Sequence, residues 1–418
     1  MRNKLPKKSL QSFLLAIVLF SSGVVKSQSW WQENAQVTAN FNNINFADNN
    51  TGWALADSMN GILFVAPVIK KTTNQGATWT TQSVGSNYYQ LNSSHFFNTA
   101  NGMIVGKYLV SGKGSILTTT NSGTTWTTND TFPNVLKDVF FINSTTGWAC
   151  GQNGYLIKTT NGGVTWAAQN SNALDHLFSI HFTDINNGWA VGPNGGIVHT
   201  TNGGTTWSVQ TSSVSTQDHF GVFALSPTTA FAVGSNGLMI KTTNGGTTWT
   251  TVTVPTVDHI FDITFINANV GWAVGAGGNI EITTNAGTTW TAQVSNTTKD
   301  IKSVCMKNSA LGWYAGKTGT VYYYGTSPAG LNEINNPIKS LKIYPNPFTS
   351  SAILNVESDV KDLQFTFTVY DILGKQVMQN NHLGTTSVIN RENLDAGVYF
   401  YKIENKQQIL KSGKLIIQ

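Results

Sequence analysis

Hydrophobic and polar residues alternate with a period of two along most of the chain, a pattern typical of short β-strands. The stretch 136–159 shows the unit: an alternating segment, an apolar segment at Gly147–Gly151, the pair Asn153-Gly154 and a last alternating segment. An Asn-Gly pair favours a type I′ hairpin turn, because both of its central residues need positive φ. The pattern therefore predicts strand, turn, strand, hairpin and strand.

Each unit ends in a phrase of the form Thr-Thr-Asn-x-Gly-x-Thr-Trp, and a fourth strand begins at its tryptophan. The steps between successive tryptophans are 47, 40, 41, 42 and 41 residues. The six copies end at Trp79, Trp126, Trp166, Trp207, Trp249 and Trp290. A fixed period of this size indicates repeated supersecondary units, and four antiparallel strands per period predict a β-propeller blade.

Second strands that carry Gly-Trp or a similar pair predict seven blades. The pairs lie at 52–53, 102–103, 147–148, 188–189, 230–231, 271–272 and 312–313. The seventh unit lacks its own Thr-Trp strand, whereas Ser29-Trp30-Trp31-Gln32 near the start of the chain resembles one. We expect this N-terminal strand to complete blade seven, because a closed ring leaves no exposed sheet edge between its blades.

The predicted domains are a signal peptide at 1–27, the propeller at 28–326, a linker at 327–340 and a small domain at 341–418. Residues 1–27 have a basic start, a short apolar stretch and a small-residue end, which is typical of secretory signals. The apolar stretch is too short to span a membrane, and the mature chain has no predicted transmembrane segment. Alternation and turns beyond 341 predict an immunoglobulin-like sandwich. The predicted fold class is therefore all-β, a seven-bladed β-propeller followed by this small β-sandwich.

The repeated loop resembles the Asp-box, or BNR, repeat Ser-x-Asp-x-Gly-x-Thr-Trp, with Asn in place of Asp in every copy. An Asn side chain still accepts hydrogen bonds from nearby backbone N–H groups, so its loop-stabilising role is kept. The Gly-Trp-Ala-Val-Gly second strand resembles the propellers of the photosystem II assembly factor family over residues 28–326. This resemblance implies the fold, and nothing in the sequence implies thylakoids.

Four phrases of the C-terminal segment resemble, in order, the sorting domain of the type IX secretion system of Bacteroidetes. They are Tyr344-Pro345-Asn346-Pro347-Phe348, 369–375, 397–403 and 411–418. The resemblance implies export to the periplasm by the signal peptide, then recognition of residues 341–418 by the type IX secretion machinery. The expected location is secreted or extracellular, with attachment to the outer-membrane surface as an alternative.

The net charge of +5 is due to the predicted signal peptide. Five of the 25 basic residues and none of the 20 acidic residues lie within 1–27, so the mature chain is formally neutral. A neutral chain has no basic field for a phosphate backbone, and we therefore predict no nucleic-acid partner. No cofactor motif is present, and none is expected to be bound.

A sialidase, the natural enzyme hypothesis for Asp-box repeats, needs an arginine cluster to hold the substrate carboxylate. The mature chain has one arginine, Arg391, in the predicted sandwich, which excludes that site. We predict no catalytic residues and a binding or scaffolding module for an unknown protein, peptide or glycan. The alternative is another glycoside hydrolase at the channel mouth, which needs two carboxylates about 5–9 Å apart. Its candidates are Asp138, Asp262, Asp218 and Asp258.

Three Asp-His pairs precede the first strands of blades four, five and six, and each is followed by a phenylalanine. The pairs are Asp175-His176, Asp218-His219 and Asp258-His259. Strand order predicts that all three lie on one face of the propeller, opposite the repeated Thr-Thr-Asn-x-Gly-x-Thr-Trp loops, together with the long hairpins of blades one and two. Two explanations are open: the pairs hold loops and neighbouring blades, or they bind a polar or peptide ligand. A metal site is not predicted.

Overall fold

The computed structural model describes residues 28–33, 35, 39–57, 59–60, 63–64, 67–84, 89–212, 214, 216–325, 338–358, 364–372, 374–383, 385–404 and 409–418. The predicted signal peptide and residues 327–337 of the predicted linker lie outside the described residues. The chain divides into two compact units, 1–327 and 328–418.

The first unit contains seven antiparallel sheets of four strands each, as expected for seven blades. Blade one has Asn40–Phe46, Gly52–Asp57, Val68–Thr72 and Thr80–Gln82, with a small hairpin of Met59–Asn60 and Leu63–Phe64. Blade two has Tyr89–Phe96, Gly102–Tyr108, Gly114–Thr119 and Thr127–Phe132. Blade three has Leu136–Phe141, Gly147–Gly151, Leu156–Thr159 and Ala167–Gln169.

The remaining blades repeat this order of strands. Blade four has Ser179–Phe182, Gly188–Val191, Ile197–Thr200 and Ser208–Gln210. Blade five has His219–Ser226, Thr229–Gly234, Met239–Thr242 and Thr250–Thr251. Blade six has Ile260–Phe265, Gly271–Gly275, Ile280–Thr283 and Thr291–Ala292. Short 3-10 turns join second to third strands at Gln152–Gly154, Ser235–Gly237 and Ala276–Gly278.

Blade seven is built from both ends of the propeller. Its strands are Ile301–Asn308, Leu311–Gly316, Val321–Gly325 and the N-terminal Ser29–Gln32. The N-terminal strand pairs antiparallel with the third strand, with Trp30 opposite Tyr324. Blade seven also contacts blade one, where the Ile44 N–H donates a 3.3 Å hydrogen bond to Ser303 Oγ. The N-terminal strand Ser29–Gln32 therefore closes the ring.

Stacked aromatic rings hold neighbouring blades together. Phe96, at the end of the first strand of blade two, stacks on Trp53 of blade one with ring centroids 3.6 Å apart. The same ring meets Trp126 of its own blade edge-on, at 6.3 Å. Phe182 repeats the stack on Trp148, also at 3.6 Å. All five Gly-Trp tryptophans and four of the six Thr-Trp tryptophans are buried, while Trp126 and Trp166 are partly buried against the core. Burying them supplies much of the apolar stabilisation of the ring.

The Asn of each repeated loop holds the loop shut. In the loop of blade five, Asn244 Oδ1 accepts hydrogen bonds from the Thr248 N–H and from Thr242 Oγ1, each at 3.0 Å. Asn244 Nδ2 donates to Thr248 Oγ1 at 2.9 Å. The loop also contacts the preceding blade, because Gln210 Nε2 donates to the Gly245 carbonyl at 2.7 Å. These loops therefore have a structural role on their face of the propeller.

The second unit is a sandwich of two antiparallel sheets. One sheet contains Ile338–Tyr344, Ser351–Ser358 and Thr386–Asn390. The other contains Gln376–Leu383, Gln364–Tyr370, Gly397–Glu404 and Ile409–Ile417. Buried residues from both sheets, such as Leu354 and Phe367, form a single core. The predicted all-β fold class, a propeller followed by a small sandwich, is confirmed.

Candidate functional site

The predicted Asp-His pairs lie beside the hairpins that join second and third strands. His176 Nδ1 accepts a 3.1 Å hydrogen bond from the Asn153 N–H, and His259 Nδ1 accepts a 3.1 Å bond from the Asn236 N–H. Both asparagines occupy hairpin tips of the preceding blade, with φ of 55° and 56°. We call this contact the hairpin latch: a side chain at or just before the start of a first strand accepts a hydrogen bond from the positive-φ residue of the preceding hairpin.

In blade five the latch residue is Asp218, whose Oδ1 accepts a 3.1 Å hydrogen bond from the Asn194 N–H. His219 lies one position later, at the strand bulge that Ile260 occupies in blade six. It is 0% exposed, and neither of its ring nitrogens has a partner among the described residues. Burial lowers its pKa to about 4, although Asp218 opposes this effect. The three Asp-His pairs are therefore not equivalent, and His219 is a core residue.

Blades seven and one have the same latch with other side chains. Asp300 Oδ1 accepts a 3.2 Å hydrogen bond from the Gly277 N–H, and Asn40 Oδ1 accepts a 3.0 Å bond from the Thr318 N–H. The five latch residues are thus His, Asp or Asn, which share only the ability to accept a hydrogen bond. This supports the structural explanation for His176, Asp218 and His259.

The aspartates that precede two of the latches also bond to neighbouring hairpins. Asp175 Oδ2 accepts a 3.2 Å hydrogen bond from Asn194 Nδ2, and Asp258 Oδ2 accepts a 3.1 Å bond from Asn279 Nδ2. Asp175 Oδ1 also accepts the N–H of His176 at 2.7 Å. Each pair is therefore tied to the hairpins at its own blade junction.

The candidate carboxylates of the first strands belong to a polar belt, defined as the residues that follow the first-strand bulge in six blades and the equivalent Ser179 in blade four. The belt comprises Asn43, Ser93, Asp138, Ser179, Gly221, Asp262 and Ser303. Asp138 Oδ1 accepts a 2.7 Å hydrogen bond from Ser93 Oγ, and its Oδ2 accepts the Ile180 N–H at 2.9 Å. Asp262 Oδ2 likewise accepts the N–H of Val304 at 2.9 Å. Both carboxylates thus join one blade to the next.

Burial shifts the pKa of both carboxyl groups upward. It raises the pKa of Asp262 to about 6, while hydrogen bonds from the Val304 and Ile263 N–H groups oppose the rise. It also raises the pKa of Asp138 against similar opposing hydrogen bonds. The N–H groups of Ile180 and Val304 occupy carboxylate oxygens of Asp138 and Asp262, which a catalytic acid or nucleophile would present to its substrate.

A pocket of about 360 Å³ lies beside the latch of blade four. Its wall includes Leu174 and Val209, which are 103% and 57% exposed. It also includes Asp175 and His176, whose side chains are 46% and 36% exposed. Of the six predicted site residues, only Asp175 and His176 line this pocket. The sequence did not predict the pocket itself.

Two further findings concern metal ions and membranes. Within the described part of the chain, no three His, Cys, Asp or Glu side chains are grouped so that they could hold a metal ion. In the same residues, no helix is both long and apolar enough to cross a membrane.

Seven four-stranded blades and a separate sandwich define the class of protein, a β-propeller followed by a C-terminal β-sandwich. Residues 130–250 and 247–330 match the family described as photosynthesis system II assembly factor YCF48. Residues 342–418 match the secretion system C-terminal sorting domain. The resemblances to the photosystem II assembly factor propellers and to the type IX sorting domain are confirmed. The sorting domain indicates type IX export to the cell surface or the extracellular space.

Solved propellers have the same fold. YCF48 bound to D1 peptide is 18% identical, with a TM-score of 0.58 over 72% of this chain and 95% of that chain. YCF48 from Cyanidioschyzon merolae is 17% identical, with a TM-score of 0.57 over 71% and 99%. The WD40 β-propeller domain of Doa1 is 10% identical, with a TM-score of 0.56 over 73% and 97%. Comparison with curated proteins gives no match.

Proposed function

We propose that the propeller is an exported binding module that holds a peptide in the pocket of blade four, either at the cell surface or after release. The observation that carries the proposal is the combination of two exposed apolar side chains, Leu174 and Val209, with the polar pair Asp175 and His176. Peptide and small-ligand sites share this arrangement, an apolar wall with a few polar groups that fix orientation.

Val209 distinguishes blade four from the other blades. It is the central residue of the fourth strand, opposite Val198. The residues at the same register in the other six blades are threonine, alanine or glutamine: Thr81, Thr128, Ala168, Thr251, Ala292 and Gln32. Val209 lines the same pocket as the exposed Leu174, and an exposed apolar patch beside polar side chains is typical of a binding site.

A peptide suits this pocket because Ser208–Gln210 is the outer strand of its sheet. An extended peptide can add to such an edge by main-chain hydrogen bonds and place a side chain in a neighbouring pocket. A similar propeller has been solved bound to D1 peptide. Only the ligand class is carried over to this chain.

We propose no catalytic role for the propeller. The belt carboxylates that a glycoside hydrolase would use, Asp138 and Asp262, accept backbone hydrogen bonds at 2.9 Å from Ile180 and Val304. Asp218 holds a hairpin latch and Asp258 bonds to Asn279. These contacts support structural roles for all four candidates, and glycan hydrolysis by the purified chain would contradict the proposal.

The binding proposal is tested by selecting ligands from a random-peptide phage library on the purified extracellular form. A synthetic peptide with the selected consensus is then titrated against Leu174→Ser and Val209→Thr. We expect each substitution to weaken binding about tenfold, because each removes an apolar wall of the pocket. Val257→Ser is the matched control, since Val257 is 82% exposed and precedes the Asp-His pair of blade six. Equal affinities in all four proteins would refute the site.

A further inference from the structure

The seven first strands carry a second ring of side chains, one position before the polar belt. We call it the mouth ring, because these residues stand where the chain enters the strands that surround the central channel. Its members are Asn42, Asn92, Lys137, Phe178, Phe220, Phe261 and Lys302. In consecutive blades three to seven the ring reads Lys, Phe, Phe, Phe, Lys.

The three phenylalanines form a continuous aromatic arc. The ring centroids of Phe178 and Phe220 are 6.2 Å apart, and those of Phe220 and Phe261 are 5.7 Å apart. All three are only partly buried. Aromatic rings in contact with each other but left partly open to solvent provide an apolar surface for a ligand.

Lys302 ends the arc with a positive charge. Its Nζ lies 3.2 Å from the ring centroid of Phe261, so the ammonium sits over the aromatic face. Burial lowers the pKa of Lys302 to about 8, while Asp300 opposes this effect. The side chain therefore remains largely protonated at neutral pH.

The charge of Lys302 is only partly compensated. Asp300 Oδ2 lies 3.7 Å from Lys302 Nζ but 2.6 Å from Lys317 Nζ, which makes Lys317 its closer partner. Asp300 Oδ1 also accepts the Gly277 N–H in the hairpin latch. Asp300 therefore shares its carboxylate between two ammonium groups, and Lys302 can pair with a second anion.

The opposite side of the mouth ring has different chemistry. Asn42 Nδ2 donates a 3.0 Å hydrogen bond to the Leu91 carbonyl, and Asn92 Nδ2 donates a 2.6 Å bond to the Leu136 carbonyl. These side chains join blades one to three, as the belt does. Ligand-binding chemistry is therefore concentrated on the arc of blades four to six and on the lysine next to it.

We propose that the mouth ring binds a carboxylate attached to an aromatic or branched apolar group. The carboxylate pairs with Lys302, and the apolar group packs on Phe220 and Phe261. This site is distinct from the pocket of blade four and does not rest on peptide binding there. The carboxylate belongs either to a free acid or to the C-terminus of a peptide.

The test is calorimetric titration of the full mature chain with two acid probes, 3-phenylpropionate and N-acetyl-Gly-Gly-Phe. The C-terminal amide of the same peptide is the third probe. We expect at least one acid to bind, and the amide to bind about tenfold more weakly than the peptide acid if the peptide acid binds. Binding of the free acid alone would assign a small-molecule ligand, and binding of the peptide acid would assign a chain terminus.

Variants connect the binding to the mouth ring. Lys302→Met should weaken acid binding about tenfold because it removes the charge, and Phe220→Ser should weaken it similarly because it interrupts the arc. Lys299→Met is the matched control, since Lys299 is exposed and lies three residues earlier in the connecting loop.

Circular dichroism and melting temperature verify that each variant folds. The proposal fails if wild-type protein binds neither acid, or if Lys302→Met binds as tightly as wild type. Acid binding that survives Leu174→Ser separates this site from the blade-four pocket.

Discussion

At the scale of single residues, His219 is the one histidine of the three Asp-His pairs that lies in the core. The latch of its blade is formed by Asp218 instead. The equivalent first-strand positions in other blades carry only apolar residues, each at most 1% exposed: Phe41, Leu91, Leu136, Leu177, Ile260 and Ile301. His219 is 0% exposed there, and its two ring nitrogens lack partners among the described residues. A buried polar group without a hydrogen bond costs about 1–3 kcal/mol.

We therefore predict that His219→Leu stabilises the propeller by about 1–3 kcal/mol, because it removes the unpaired nitrogens and fits an apolar site. The folded pKa of about 4 lies below the usual value of 6.5, so wild type loses stability as pH falls from 6.5 towards 4. The variant should lose less over that window. Urea unfolding followed by tryptophan fluorescence measures both effects, because all 13 tryptophans precede residue 314.

The matched control for this prediction is His259→Leu, which removes a hairpin latch on the surface. It should be neutral or destabilise by about 0.5–1.5 kcal/mol, the usual loss for one hydrogen bond. If His219→Leu were the more destabilising of the two, the assignment of His219 as an unsatisfied core residue would be wrong.

Two buried glutamates predict an opposite dependence on pH. Burial raises the pKa of Glu33 from 4.5 to about 7, and that of Glu281 from 4.5 to about 7. The folded chain therefore holds protons that the unfolded chain has lost, and stability from these groups falls as pH rises from 4.5 to 7. We expect Glu33→Gln and Glu281→Gln each to raise the melting temperature at about pH 8 by roughly 2 °C or more, with a smaller gain at about pH 5. A double variant with the same pH profile as wild type would contradict this.

At the scale of elements, the repeated loop shows how asparagine can serve at the position where the Asp-box pattern has aspartate. Asn244 uses its Oδ1 to accept two hydrogen bonds and its Nδ2 to donate one to Thr248 Oγ1. An aspartate keeps both acceptor contacts, and the Thr248 hydroxyl can reverse its direction and donate. The loop therefore needs the shape and the acceptor oxygen of this side chain more than its charge.

Two substitutions of Asn244 separate the effect of its acceptor oxygen from that of its amide donor. Asn244→Asp should change the free energy of unfolding by less than about 0.5 kcal/mol, because the acceptor oxygen remains. Asn244→Ala should cost about 1 kcal/mol, because two donors lose their acceptor. Chemical denaturation of the two variants measures the difference. Equal destabilisation by Asp and Ala would show that the amide donor, not the acceptor, holds the loop.

Strand order could be predicted from the sequence, but the register within blade five could not be seen from the Asp-His motif alone. A signal was present in the spacing: His176, Asp218 and His259 each precede the tryptophan of the next repeated loop by 31 residues. The three Asp-His pairs look identical in sequence, but the pair of blade five is shifted by one residue relative to the strand. Asp218 therefore forms the latch, and His219 lies in the core. A strand with period-two alternation turns such a shift into a change of environment.

At the scale of the whole molecule, the closed ring brings together residues that have no sequence motif in common. Lys137 and Lys302 are far apart in the chain, and the belt residues that follow them differ, an aspartate after Lys137 and a serine after Lys302. They become members of one mouth ring only because seven first strands surround a single channel. The pocket of blade four also depends on topology, since Leu174 and Val209 lie on separate segments. Periodicity predicts the blades, whereas the chemistry of the faces depends on which loop residues each blade presents.

Export is the property that involves both units. We expect deletion of residues 341–418 to keep the propeller inside the cell envelope, because the removed sandwich matches the secretion system sorting domain. The measurement is the amount of propeller outside the cell, compared with the periplasmic fraction. Continued appearance of the truncated propeller outside the cell would exclude a requirement for the sorting domain.

Point substitutions then separate the fold of the sorting domain from its mere presence. Phe367 is 0% exposed in the sandwich core, with its ring centroid 5.4 Å from that of Tyr401. Phe367→Ala should cost the sandwich about 3–5 kcal/mol, enough to unfold much of a domain of this size. If the machinery recognises the folded domain, this variant should be retained like the deletion.

Ile372→Ser is the control, because Ile372 is 72% exposed and its loss leaves the core intact. Normal export of an unfolded Phe367→Ala sandwich would instead show that a linear segment is recognised.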